Sequence, residues 1–339
     1  EVSTSHHTVS IEQVHSILRG AQHQGMATLP MLMRAGISPA LLDSELARVS
    51  QHQYATLIRV IRRAMRDEMW GLMSRPVPPG SFGQCLQHLV RCRTLGEALR
   101  AAFGFYHLLI DDFTPRLSAR DELARIRFIT HRPMEPRLVF GIKAFMLFTF
   151  ATASWLVARR IPILGIDYPD AKLAETSRVY QAPIRQAQPF MGMSFEAHWL
   201  ELPVVQTTAS LREFLRGAPA NLIVKYRDNS SLSDRIRRLF RRRLGTELPS
   251  LETVCEALAV TPQTLRRRLR EEGRGFQDIK DELRRDIAIE LLLQTPMPLL
   301  EIANQLGFSE ASTFHRAFKG WTGVAPGEYR QAHAESALT

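Results

Sequence analysis

Apolar residues return at helical spacing near the end of this chain. Leu299, Ile302, Ala303 and Leu306 fall at i, i+3, i+4 and i+7, one face of a short helix. Gly307 follows where a helix end favours positive φ, and Ser309 is placed to cap a second helix beginning near Ala311. Advancing about 100° per residue from Ala311, Phe314, Ala317, Phe318 and Trp321 gather between roughly 240° and 340°. Ser312, His315, Arg316 and Lys319 gather between roughly 40° and 140°. The second helix thus has an apolar back and a front of hydrogen-bonding and cationic tips. That is the form of a helix-turn-helix, whose second helix reads base edges and phosphates.

The design occurs once more upstream. Ser250 is a candidate cap for residues 251–258, Ala259 and Val260 make the turn, and Thr261 caps a helix with Pro262 at its first position. Taking Gln263 as zero, Arg266, Arg267 and Arg270 lie within about 60° of it, while Leu265 and Leu269 lie at roughly 200° and 240°. Ser231 or Ser233 is placed to cap a basic helix running to Leu244, with Arg235, Arg238 and Arg242 on one face. Between the motifs, residues 276–294 form one long amphipathic pattern, a rod of roughly 28 Å. That is close to the roughly 34 Å between successive major grooves on one DNA face.

The first two thirds of the chain has a mixed pattern. Helices are expected at 29–36, 54–65, 86–102 (with Thr94 as an N-cap) and 209–216. Strands are expected at 105–112, 123–130, 162–168 and 191–199. Residues 138–157 are long enough to cross a bilayer, with Lys143 as their only charge. Lys143 would cost about 3 kcal/mol near the centre of such a span. Gly141, Thr149, Thr152 and Ser154 weaken the run further, and strands bracket it, so a buried core helix is expected.

Composition changes this picture little. The 339 residues suit two or three domains. The net charge of +10 is unevenly distributed, and the second motif is not its source. Residues 235–285 hold 14 basic and 8 acidic residues, whereas 286–339 hold 3 and 6, so phosphate attraction is expected from the first motif. Cys85, Cys92 and Cys255 fit neither a disulfide framework nor a metal site, and reduced thiols are expected. The chain starts at Glu1 and opens without the pattern of a secretion signal, so a cytoplasmic setting is expected. No phosphate-binding glycine loop, Gly-x-Ser-x-Gly or His-Glu-x-x-His occurs, and His88, His107, His131 and His198 are scattered. No catalytic residue, metal ligand or cofactor is assigned.

Ile302-Ala303, 306–309, Ser312, Phe314, Arg316, Phe318-Lys319, Gly323, Pro326 and Tyr329-Arg330 together resemble the C-terminal signature of the AraC/XylS transcription regulators. His315 departs from the small hydroxyl residue common there. Leu265, Arg267, Leu269 and Gly273 match the family's first motif. Residues 30–36, 95–99, 159–162 and 211–215 are similar to the arabinose-binding-type N-terminal domain of one AraC subgroup, which differs from the cupin-like sensor. The resemblance implies an α+β chain, with a mixed α/β sensing or dimerisation domain over residues 1–220 and a linker at 221–231. An all-α domain over 232–339 then holds two helix-turn-helix units joined by a long helix. The candidate DNA contacts are Gln263, Thr264, Arg266, Arg267, Arg268 and Arg270 in the first unit. In the second they are Ser312, Thr313, His315, Arg316 and Lys319.

Double-stranded promoter DNA is the expected partner, with RNA polymerase implied by the resemblance, a small-molecule effector, and a homodimer. The expected function is an effector-responsive activator. The other readings are an enzyme-like N-terminal domain fused to a DNA-binding module, and a membrane-tethered regulator. No effector ligand is assigned. The aromatic residues Phe105, Phe128, Phe145, Phe148, Phe150, Trp155, Phe195 and Trp199 would suit an apolar, lipid-like or aromatic effector if they lined a pocket.

Overall fold

A computed structural model describes residues 8–169, 180, 182–217, 232–243, 248–271 and 275–337. The expected linker at 221–231, the Ser231 cap, Leu244 and Gly273 lie outside the described residues. The chain divides into two compact units. A sheet unit holds residues 16–28 and 58–227, and a helical unit holds 1–15, 29–57 and 228–339.

In the sheet unit, strands β3 (Phe113–Arg120), β4 (Leu123–Thr130), β5 (Gly165–Asp167), β6 (Ile184–Arg185) and β7 (Met191–Glu196) pair in the order β3-β4-β7-β5-β6. Only the β5–β6 pair is parallel. Along β4 the side chains of Ala124, Ile126 and Phe128 are buried and Arg127 is exposed, the alternation of a half-buried strand. Asp121 and Glu122, both at positive φ, close the β3–β4 hairpin as a two-residue turn. Helices α4 (Ser81–Leu89) and α5 (Leu95–His107) pack together, and the Thr94 hydroxyl caps α5 by accepting from the Glu97 N–H. Helix α7 (Thr208–Gly217) places Phe214 against Trp155 with ring centroids 4.3 Å apart.

Helix α6 (Pro136–Leu156) is the one described helix long and apolar enough to cross a membrane, and 61% of its apolar window is buried within the protein. Phe145 packs edge-on against Phe113 and Phe128 of the sheet at 5.2 and 5.9 Å. Lys143 lies 5.6 Å over the Tyr168 ring. Gly141 permits the close approach of this helix to the loop at Leu72 and Met73, because a Cβ there would lie 2.1 Å from the Met73 side chain.

The helical unit contains β1 (Thr8–Ser10) paired antiparallel with β2 (Arg48–Ser50), the short helix α2 (Leu29–Arg34), and helices α8 to α14. These are α8 (Leu232–Arg241), α9 (Leu251–Leu258), α10 (Pro262–Glu271), α11 (Phe276–Gln294), α12 (Leu299–Gln305), α13 (Ala311–Thr322) and α14 (Pro326–Ala337). Helix α1 (Ile11–His23) and helix α3 (Gln51–Met65) flank α2 along the chain.

Four local expectations differ from the structure. Residues 105–112 are not a strand: Phe105 to His107 close α5, and the strand begins at Phe113. The aromatic run has an i, i+3 component that a helix buries as well as a strand does, and Pro115 masked the real strand. β3 is an edge strand, where a missing N–H is tolerated. The single helix expected over 86–102 is two helices with a connector at 90–94. Ser233 lies inside α8 rather than capping it, and Ser309 does not cap α13, which starts after Glu310 without a side-chain cap. Phe308 instead turns inward against Phe314 at 5.7 Å, drawing residues 308–310 into an extended connector.

Candidate nucleic-acid interface

The first motif is built by its caps. The Ser250 hydroxyl accepts from the Thr253 N–H at 3.2 Å and starts α9. Ala259 at φ 52° ends it and turns the chain into Thr261, whose hydroxyl accepts from the Thr264 N–H. Helix α10 then buries Leu265 and Leu269 and leaves Gln263, Arg266, Arg267, Arg268 and Arg270 exposed. Thr264 is half-buried and holds the Thr261 hydroxyl at 2.9 Å, so its side chain belongs to the first turn of the helix. The field of this front reaches α9. Hydrogen bonds from its own backbone N–H and from Ser250 hold the Glu252 carboxyl below the usual range, with Arg266 contributing.

The second motif has the same anatomy. Gly307, at φ 77°, ends α12, and Gly323, at φ 81°, ends α13. Phe314 and Phe318 are buried, with Ala317 and Trp321 half-buried beside them. Ser312, Thr313, His315, Arg316 and Lys319 are all exposed, and the Ser312 hydroxyl donates to the Glu310 carboxylate at 3.1 Å. Every candidate residue except Thr264 is therefore on an open helix front.

The 19-residue helix α11 holds both motifs. Toward the first, Arg237 of α8 pairs with Glu282, and Phe240 packs edge-on against Phe276 at 5.5 Å. Toward the second, Arg284 donates from Nε to the Leu306 carbonyl at 3.1 Å and lies 4.7 Å over the Phe308 ring. Burial lowers the pKa of Arg284, but its partners keep it charged in place. These contacts were not legible beforehand. An arginine on a charged helix gives no sign that its partner is a carbonyl 22 residues away.

A second group of contacts was also missed. Asp286 on α11, 5% exposed, accepts from the Thr8 hydroxyl at 2.6 Å and from Arg285 at 3.1 Å. Arg48 donates to the Thr8 hydroxyl at 2.7 Å and to its carbonyl at 3.0 Å. The Tyr329 hydroxyl donates to the Arg48 carbonyl, Ser44 donates to the Thr322 carbonyl, and the His333 ring meets the Gly36 carbonyl. Residues 8–10 and 36–48 thus brace the linking helix and the second motif. A Cβ at position 323 would lie 2.0 Å from the Ser44 hydroxyl, so Gly323 serves both the helix end and this contact.

Two helix-turn-helix motifs on one rigid helix, in a chain that also carries a mixed α/β unit, define a DNA-binding regulator. A family model described as the arabinose-binding domain of AraC transcription regulators matches residues 25–204, and a helix-turn-helix model matches residues 254–332. The chain belongs to the AraC family of transcription regulators. It is 25% identical to the ornithine utilization regulator of Pseudomonas aeruginosa over 328 residues, covering 96% of both chains. It is 26% identical to the transcriptional regulator VirS of Mycobacterium tuberculosis over 319 residues, covering 90% of this chain and 91% of the relative. A solved structure of the regulator CdpR from Pseudomonas aeruginosa aligns over 95% of this chain and 98% of its own, at 19% identity and a TM-score of 0.31. Regulators of the AraC type bind promoter DNA and take small-molecule effectors through the N-terminal domain.

Proposed function

We propose that this regulator places α10 and α13 in adjacent major grooves of one promoter site and activates transcription in response to an effector. The observation that carries the reading is the pair of exposed polar fronts, each backed by buried leucines or phenylalanines, joined by a helix of roughly 28 Å. Residues 232–339 bind DNA, residues 221–231 connect, and residues 1–220 sense the effector and dimerise. Gln263, Arg266, Ser312 and Arg316 read base edges. Arg267, Arg268, Arg270, Thr313, His315 and Lys319 hold phosphate, and Thr264 supports the start of α10. Family membership supports RNA polymerase as the partner for activation, a cytoplasmic setting, and a role in regulation rather than catalysis.

Replacing Arg266 or Arg316 by Ala should cost about 1–3 kcal/mol at the cognate site and relax preference at one or two base pairs. The positions relaxed by the two variants should lie roughly one helical turn apart. A binding-site selection on each variant tests this. Loss of preference at the same base pairs in both, or in neither, would refute the two-groove reading.

The electrostatic division is tested by salt. Arg267→Ala or Arg268→Ala should weaken binding and flatten its logarithmic salt dependence by about one unit of slope. Arg91→Ala, at an exposed position of the sheet unit, should leave the slope unchanged. Equal slopes for all of these variants would put the DNA surface elsewhere.

A further inference from the structure

The sheet unit contains a cavity of about 90 Å³ between α4, α5 and α6. Its walls are apolar, with Leu86, Leu89, Leu99, Phe145 and Trp70 among them. Of the aromatic residues that the sequence offered for such a pocket, Phe145 and Phe148 line it. Phe128, Phe150 and Phe195 are buried outside its lining, and Trp155 is taken up by Phe214. Arg62, Glu68 and Tyr106 line the cavity and are half-buried.

The polar groups of the lining are not equivalent. The two Glu68 oxygens accept from the Gly80 and Phe82 N–H groups at 2.6 and 2.8 Å, so this carboxylate serves the start of α4. The Thr149 hydroxyl donates to the Phe145 carbonyl at 2.8 Å. Burial, with Cys92 nearby, pushes the Cys85 thiol up to about 12, which makes it apolar wall rather than a nucleophile. Arg62 and the Tyr106 hydroxyl differ: among the described residues neither has a hydrogen-bond or ion-pair partner. Tyr106 is held in place by its ring, which packs edge-on against Phe145 at 5.1 Å. Two donors, one of them a guanidinium, thus line an apolar cavity without a protein acceptor among the described residues.

From this arrangement we infer that the cavity is the effector site and takes a short-chain monocarboxylate, its acid group received by Arg62 and Tyr106 and its aliphatic tail enclosed by α4, α5 and α6. The inference rests on the sensing role proposed above and names the chemistry of that site. A guanidinium matches a carboxylate in charge and geometry. The volume restricts the tail. A cavity of about 150 Å³ takes a benzene ring, so this smaller one suits a branched or short tail of fewer than about six carbons.

The test is calorimetric titration of the full chain with 3-methylbutanoate, with 3-methylbutan-1-ol, with valine and with decanoate. The acid should bind at least about tenfold more tightly than the alcohol, which shares the tail and lacks the charge. It should also bind more tightly than valine, which adds an ammonium group that Glu68 is not free to receive. Arg62→Leu should reduce the acid-to-alcohol ratio to near one, and Arg62→Lys should keep part of it. Tyr106→Phe should weaken the acid severalfold and leave the alcohol unchanged, which decides the matter if Arg62→Leu fails to fold. Ala102→Leu, filling the cavity, should weaken both. No binding of the acid, a ratio unchanged in Arg62→Leu, tighter binding of valine, or tighter binding of decanoate would each overturn the inference. Promoter binding by the wild-type protein without acid is measured in parallel, so failure here is distinguished from failure of the DNA-binding reading.

Discussion

Phe314→Ala should unfold the second helix-turn-helix motif and weaken binding to every DNA sequence alike. Phe314 is 1% exposed and sits at the centre of an aromatic cluster. It meets Phe308 at 5.7 Å and Phe318 at 5.8 Å, and Phe318 meets Tyr329 edge-on at 5.6 Å. Truncating a buried phenylalanine costs about 3–5 kcal/mol, because the cavity cannot close around it. The expected signature is a denaturant transition shifted by that amount, with affinity for cognate and random DNA falling together. Arg316, two positions along the same helix, should behave oppositely: native stability, with preference lost at the base pairs it reads. A Phe314→Ala variant of native stability would mean that the cluster does not hold the recognition helix.

Asp286→Ala should be about as damaging, although Asp286 is on neither recognition helix. The carboxylate is buried in α11 and takes the Thr8 hydroxyl on one side and Arg285 on the other. Removing one member of a buried charged pair leaves the other unpaired away from water, at a cost of about 3–5 kcal/mol. Thr8→Val, which removes only the neutral partner, should cost about 1–3 kcal/mol. The double variant should cost less than the sum of the two, because the groups share one contact. Thermal melts of the four proteins measure that coupling. Strict additivity would show that Thr8 and Asp286 do not act together in solution.

These two predictions separate what was legible in the sequence from what was not. The Phe314 cluster could be anticipated, because its members recur at helical spacing within one short segment. Helix α11 spans the residues its amphipathic pattern marked, Thr94, Ser250 and Thr261 cap as their side-chain chemistry dictates, and β4 runs over the residues its composition indicated. The open fronts of α10 and α13 follow from the same local geometry. Where expectation failed, a local signal pointed two ways: an aromatic run at 105–112 with both strand and helix character, and a hydroxyl at 309 displaced by the inward turn of Phe308.

Sequence alone determined most of the helices, the caps at Thr94, Ser250 and Thr261, and which faces of the two recognition helices are buried, because these depend on residues within about one turn of one another. Only the tertiary structure decided what each buried face meets. Residues 8–10 and 29–57 join the helical unit through contacts such as Thr8 to Asp286, 278 positions apart, which no periodicity encodes. The cavity that Arg62 lines has the same origin. Amphipathic spacing specifies that α4, α5 and α6 bury their apolar sides, whereas the space left among them depends on the angles at which the three helices and residues 68–77 come together.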